Sequence, residues 1–236
     1  MPEGAAAGEH GAQQGSLCAR VLLVRHGITA WNLQHRYHSY TDVPLHPLAE
    51  RSLAPAFSRT DGERIDRILC SPAVRARQTA TLFAERHRPA PPISVRSGLR
   101  ELDFGRFEGR TRYELRSGAL SRDFRSWLSG ADGEPAPPEG EPWSNTVSRV
   151  SAVLEEAALA GGTSLVVSHG YALRAMFLTA LGLPPSDARR LRWGNGRIAV
   201  LDWCDGRWST PLRAAHGQDG SSSWQMTSSR TSQPRG

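Results

Sequence analysis

The stretch "VLLVRHGITAWN", Val21 to Asn32, sets four apolar residues directly against an arginine, a histidine and a glycine. An apolar, β-branched run without polar alternation fits a strand buried on both faces. In an open parallel sheet, ligands bind beyond the carboxyl ends of the strands, so polar groups at such a stop mark a candidate site. Two further segments repeat the arrangement. "RIDRILCSP", Arg64 to Pro72, carries Ile65, Ile68 and Leu69 into a stop at Ser71 and Pro72, and "GGTSLVVSHG", Gly161 to Gly170, delivers Ser168 and His169.

Between these runs, apolar residues at spacings of three and four predict helices over Ala73–Arg86, Thr146–Ala160 and Tyr171–Leu181, with Thr146 capping the second. Strands alternating with helices predict an α/β, three-layer architecture: a mostly parallel central sheet flanked by helices. Arg197–Trp203 and Trp208–Leu212, either side of Cys204-Asp205-Gly206-Arg207, read as a hairpin or paired edge strands. "GADGEPAPPEGEP", Gly130 to Pro142, reads as a surface loop. One domain is expected over residues 18–214, with disordered tails at 1–17 and 215–236, which hold too little apolar area to offset their ordering entropy.

Composition narrows the function. A chain of 236 residues suits a single core. Residues Met1 to Ser16 contain no apolar run that could serve as a signal peptide, and no segment approaches the roughly 20 apolar residues of a membrane span. A cytoplasmic protein without membrane contact is expected. Cys18, Cys70 and Cys204 are odd in number and lack metal-type spacing, so they read as free thiols. The net charge is +6, but all 29 basic residues are Arg and they are scattered, without the basic stripe and interleaved aromatics of a nucleic-acid module.

If the three strands are neighbours, Arg25, His26, Arg75 and His169 face one small space, and each His precedes a Gly that leaves room for close approach. Four potential cations repel one another unless an anion sits among them. A phosphoryl group, carrying about −1.5 to −2 charges as a monoester, fits that place.

The residues here resemble the histidine phosphatase superfamily, with its phosphoglycerate mutase-like fold. "LVRHGITAWN" is similar to the family's Leu-x-Arg-His-Gly-x-Thr-x-Trp-Asn element, and "SPAVRARQTA" to Ser-Pro-x-x-Arg-Ala-x-x-Thr-Ala. "LRELDFGRFEG" matches Leu-x-Glu-x-x-x-Gly-x-x-Glu-Gly, and "VVSHG" closes the series in the family's order. The resemblance implies a metal-independent phosphatase without cofactor, acting on a small phosphomonoester. His26 would be the nucleophile, forming a phosphohistidine. Arg25 and Arg75 would hold the non-bridging oxygens in forked geometry, and His169 would add a donor to them. Asn32, Thr29 and Tyr171 would complete the substrate contacts. Glu101 would protonate the leaving group and then activate water, a role that calls for burial or nearby negative charge to favour its acid form. Glu108 is the competing carboxylate, which the family uses structurally.

His35, His38 and His46, in "QHRYHSYTDVPLHP", have no carboxylate or Cys at ligand spacing, and read as substrate-loop or surface residues with no metal. Arg77, Trp31 and the tryptophans after Trp193 read as surface or packing residues. The loop departs from the family's Arg-x-Gln-Gly-x-x-Asp-x-Pro-Leu-Thr, with His38 and Ser39 at its Gln-Gly, and Ile28 and Pro142 replace a frequent Glu and Ser. Mutases of the family resemble Glu-x-x-Tyr-Gly and His-Gly-Asn where this chain has Phe104 and Tyr171, and they carry a longer insertion between the two. Hydrolysis is therefore expected over phosphoglycerate-type mutation or non-catalytic phosphate binding, with a homodimer left open.

Overall fold

The computed structural model describes residues 18–129, 136–211, 213–216 and 222–225. Its centre is a six-stranded mixed sheet in the order β3-β2-β4-β1-β5-β6, built from β1 (Cys18–Arg25), β2 (Arg67–Cys70), β3 (Ile93–Val95), β4 (Gly162–Ser168), β5 (Ile198–Cys204) and β6 (Arg207–Ser209). The four strands from β3 to β1 pair in parallel, while β5 and β6 add antiparallel. The β5–β6 hairpin turns through Asp205 and Gly206, both at positive φ (51° and 78°), the backbone that matches strand twist in a two-residue turn.

Alternation along the strands explains the three layers. Val21 and Leu23 of β1, with Leu69 and Val166, face one core beneath α6 (Trp143–Leu159) and α7 (Gly170–Ala180). Leu22 and Val24, with Ile68, Leu165 and Val167, face the other beneath α2 (Ala49–Thr60) and α3 (Val74–Ala84). A third cluster, Leu102, Phe104, Phe107, Leu115, Leu120, Phe124 and Trp127, packs α4 (Arg112–Ser117) and α5 (Ser121–Ser129) over the sheet's carboxyl end. The short α1 (Ala30–Leu33) follows β1 directly.

Several expectations change. Thr146 does not cap its helix: α6 begins three residues earlier, with Pro142 at the N-cap, and Thr146 is buried inside it. Of the acidic loop, 130–135 lie outside the described residues, and the remainder docks on the main chain of Asp103–Phe107, with Arg106 N donating to Pro138 O and Glu141 N to Asp103 O. β7 (Arg213–His216), which crosses the expected domain end at 214, pairs antiparallel with β8 (Ser222–Gln225) in the segment read as a tail, whose other residues, like 1–17, lie outside the described ones. Among the described residues no helix is long and apolar enough to cross a membrane.

The reading of three free thiols is corrected. Cys18 and Cys204 form a disulfide, because the antiparallel register of β1 and β5 sets them directly opposite, with Cα atoms 4.4 Å apart. Spacing along the chain, 186 residues, concealed a contact that exists only between paired strands. Titration of the denatured protein should find one thiol, Cys70, before reductant and all three after it. Removing the bridge with Cys204→Ser should cost about 2–5 kcal/mol in urea unfolding; three thiols without reductant would refute it.

Candidate active site

The parallel ladder between β1 and β4 ends with Arg25 opposite Ser168, and His26 N extends it by donating to Ser168 O at 3.0 Å. His26 and His169 therefore leave the sheet side by side, their rings 5.1 Å apart and tilted by 62°. His26 Nδ1 is 2.8 Å from Gly27 O, a carbonyl that can only accept, so Nδ1 carries the proton and Nε2 keeps its lone pair. Burial pushes this imidazole well below the usual histidine range, and Arg75 and Arg25 push it further.

His169 is anchored through its other ring nitrogen. Its Nε2 lies 2.8 Å from Ser71 Oγ, and Nδ1 is buried without a partner. Ser71 is the polar stop after β2, so the second strand contributes to the site through the second histidine. Arg75, one turn further, is fully buried; its Nη1 and Nη2 donate to Thr41 O and Ser39 O at 3.1 and 2.9 Å, and Nε has no partner. Arg25 donates from Nη1 to Trp193 O at 2.6 Å, with Nε likewise unpartnered. Burial draws the Arg25 guanidinium down to about 10, against the opposing pull of Glu101.

Glu101 caps α7. Its Oε1 accepts from Leu102 N, Tyr171 N and Ala172 N, each at 3.0 Å, which places the carboxylate at the positive end of that helix. Its Oε2 lies on the side of Gly170, where a β-carbon would sit 3.6 Å from both Oε2 and Arg25 Cζ. Gly170 thus keeps the cleft open between acid and guanidinium. Gly27 serves another end, since a β-carbon there would press at 3.1–3.2 Å on Ala49, Leu45 and Leu53.

Arg25, His26, Asn32, Glu101 and Tyr171 border one cleft of about 600 Å³, with Tyr37, His38, Phe104, Leu128, Arg112, Arg174 and Asn195 among its other walls. Thr29 is not on that lining: it is buried in a capping box with Asn32 and fixes that residue. Glu108 is not among the residues bordering the cleft; it accepts from Ser39 N, Ser39 Oγ and Thr41 N, and so holds the loop whose carbonyls grip Arg75. His35 and His38 border the cleft, whereas His46 does not.

Two participants escaped the sequence reading. Asn195 Nδ2 donates to His26 O at 2.9 Å and Asn32 Oδ1 at 3.1 Å, from a loop far along the chain with no motif of its own. It is followed by Gly196 at φ 68°, where any β-carbon would run into the Ser52 carbonyl. His38, read as a loop residue, is 5% exposed, and burial with Arg75 and Arg25 nearby pulls it down to about 3. Among the described residues no group of His, Cys, Asp and Glu is placed to hold a metal ion.

The model of the histidine phosphatase superfamily (branch 1) matches residues 21–214. The chain belongs to that superfamily. A curated relative, the probable phosphoglycerate mutase GpmB of Yersinia enterocolitica, is 33% identical over 195 residues, covering 80% of this chain and 87% of the relative. Among solved structures, the phosphoserine phosphatase of Entamoeba histolytica in complex with 3-phosphoglyceric acid superposes with a TM-score of 0.68 at 26% identity, over 81% of this chain and 98% of that one. The mycobacterial glucosyl-3-phosphoglycerate phosphatase with VO3 gives 0.70 at 25%, over 81% and 96%. This member of the superfamily thus resembles proteins named for mutase and for phosphatase activity.

The three buried imidazoles have a stability consequence. Each takes a proton near pH 6.5 when unfolded but resists it when folded, so their stabilisation is complete above about 6.5 and lost as pH falls below it. At about 1.4 kcal/mol per proton and pH unit, the slope approaches about 4 kcal/mol per unit. Urea unfolding of the anion-free protein between pH 7.5 and 5, above the carboxylate range, should show this fall, and His38→Gln should reduce it by about a third. A flat profile would contradict neutral buried imidazoles.

Proposed function

We propose that the chain is a metal-independent phosphatase that hydrolyses a small phosphomonoester through a phosphohistidine at His26. The observation that carries this reading is the pair of buried, unpartnered Nε–H groups of Arg25 and Arg75, with the unpartnered Nδ1 of His169, around a histidine whose Nε2 is free to attack. Buried donors without acceptors are unfavourable, and a tetrahedral oxyanion supplies acceptors to all of them at once.

Nε2 of His26 attacks phosphorus in line, and the bond from phosphorus to the ester oxygen breaks. Glu101 gives the departing oxygen a proton, held on Oε2, which accepts only the longer branch of the Tyr171 N–H at 3.2 Å while Oε1 accepts three backbone donors. The resulting carboxylate then takes a proton from water as that water attacks phosphorus. The N–P bond breaks, inorganic phosphate leaves and His26 returns neutral. Arg25 and Arg75 stabilise the equatorial oxygens throughout, and their backbone anchors mean little reorganisation is needed.

Release to water is favoured over mutation by what surrounds the leaving group. A mutase must retain its phosphorylated ligand while it turns, which calls for an enclosing insertion. Here only a short segment separates α5 from α6, and its described part packs back on Asp103–Phe107. Phe104 and Tyr171, which differ from the mutase pattern, stack edge to face at 5.4 Å and form a wall of the cleft. The mutase name of the curated relative supports a second reading, phosphoglycerate isomerisation.

His26→Ala should lower p-nitrophenyl phosphate turnover by at least about a thousandfold. Glu101→Gln should lower kcat/KM about 10²–10⁴-fold with an alkyl phosphate and much less with p-nitrophenyl phosphate, whose leaving group needs no proton, while slowing hydrolysis of the phosphohistidine equally from both. With 3-phosphoglycerate and a trace of 2,3-bisphosphoglycerate, phosphate release should outpace isomerisation; the reverse would favour the mutase.

A further inference from the structure

The reaction gives Ser71 no task, yet this residue is fully buried against one of the two histidines at its centre. Its N–H donates to Val167 O at 3.0 Å, one step beyond the β2–β4 ladder, so the main chain holds the hydroxyl beside the strand that delivers His169. Ser71 Oγ lies 2.8 Å from His169 Nε2 and accepts the Ala73 N–H at 3.3 Å, at the entry to α3. A hydroxyl has one proton to give and two lone pairs. Of its two partners among the described residues the amide can only donate, so the imidazole nitrogen is the one acceptor open to it.

The two tautomers of His169 leave different groups unsatisfied. With the ring proton on Nε2, the Ser71 proton has no acceptor and the Nδ1 lone pair no donor, both of them buried. With the proton on Nδ1, Ser71 Oγ–H donates to Nε2 and a single group is left over, the Nδ1–H. The second form strands fewer buried polar groups and is favoured. The groups that bear on the ring are Arg75, His26, His38 and Arg25, so a second ring proton would add a cation among cations. What remains is a neutral ring that presents a donor at the nitrogen Ser71 leaves free.

We propose that Ser71 is a positioning residue: by donating to Nε2 it fixes His169 as the Nδ1–H tautomer, so that the neutral ring offers an N–H to an oxygen of the group bound at His26. The role rests on the phosphatase reading only for the identity of that group as phosphoryl. Without the hydroxyl, a neutral imidazole can turn a lone pair toward an anionic oxygen, which repels it. Ser71 thus does for His169 what the Gly27 carbonyl does for His26, with opposite polarity. The carbonyl accepts and frees a lone pair for attack; the hydroxyl donates and frees a proton for binding.

The test uses the full-length protein with ¹⁵N-labelled imidazoles near neutral pH, the His169 signals being those lost in His169→Gln, and sulfate as the probe anion. In the parent protein His169 should be the neutral Nδ1–H form, and sulfate should shift Nδ1 while Nε2 keeps the shift of a bonded acceptor. Ser71→Ala should let the Nε2–H form appear without sulfate, and should weaken sulfate binding about tenfold, as for the loss of one hydrogen bond to an anion. Ser71→Thr, which keeps the hydroxyl, should restore the tautomer and bind sulfate within about threefold of the parent. An Nε2–H ring or an imidazolium in the parent, unchanged tautomer and sulfate affinity in Ser71→Ala, or a folded Ser71→Thr no better than Ala would overturn the proposal. If the variants fail to fold, the parent spectrum decides: an Nδ1–H ring shifted by sulfate upholds the role, and an Nε2–H ring removes it. Should that spectrum appear while no phosphomonoester is hydrolysed, the positioning role stands and the phosphatase reading falls. Hydrolysis through His26 with an Nε2–H ring at His169 does the reverse.

Discussion

Arg25 opposite Ser168 is the last step of the β1–β4 ladder, and the site depends on that register. A slip of one residue would send Val21 and Leu23 to the core now filled by Leu22 and Val24, with every partner in both layers mismatched. The two cores thus enforce the pairing, and the pairing brings two histidines from residues far apart in sequence to a ring separation of 5.1 Å. Packing on both faces of the sheet is in this sense the first requirement of the chemistry.

The second is the way the guanidiniums are held. Ion pairs elsewhere, such as Arg149 with Glu141 and Arg96 with Glu156, set arginines against carboxylates. Arg25 and Arg75 are anchored instead by the carbonyls of Trp193, Ser39 and Thr41. Carbonyls fix position without cancelling charge, so both arginines remain available to an anion. The loop carrying Ser39 and Thr41 is fixed in turn by Glu108, a carboxylate committed to main-chain donors. Desolvating two cations beside three imidazoles is unfavourable until an oxyanion enters, and the same desolvation keeps His26 unprotonated and able to attack.

How far the sequence disclosed this varied with the range of the forces involved. The strands ending at Arg25, Cys70 and Ser168 and the helices beginning near Val74 and Gly170 were legible because buried strands and amphipathic helices write their periods into the chain. The Asp205–Gly206 turn was legible from its residue types. α2 was not read: Pro55 interrupts its pattern, and its burial depends on packing against Gly27 and β1. β3 is three residues long, too short for a period. The disulfide, Asn195 and the burial of His38 are all tertiary contacts, and neither spacing nor composition encodes which strand or loop a side chain will meet. His38 in particular sits in a polar stretch that reads as surface, and it is buried only because the loop folds down over Asn32 and Trp31.

The central claim is that the cluster exists to place a phosphoryl group on one nitrogen. Quenching the protein under alkaline denaturing conditions during turnover of a phosphomonoester, followed by peptide mass spectrometry, reads that directly. The account predicts a phosphoryl group on His26 and on no other side chain. Continued hydrolysis with the phosphoryl group found on another residue, or on none under conditions that preserve phosphohistidine, would contradict it.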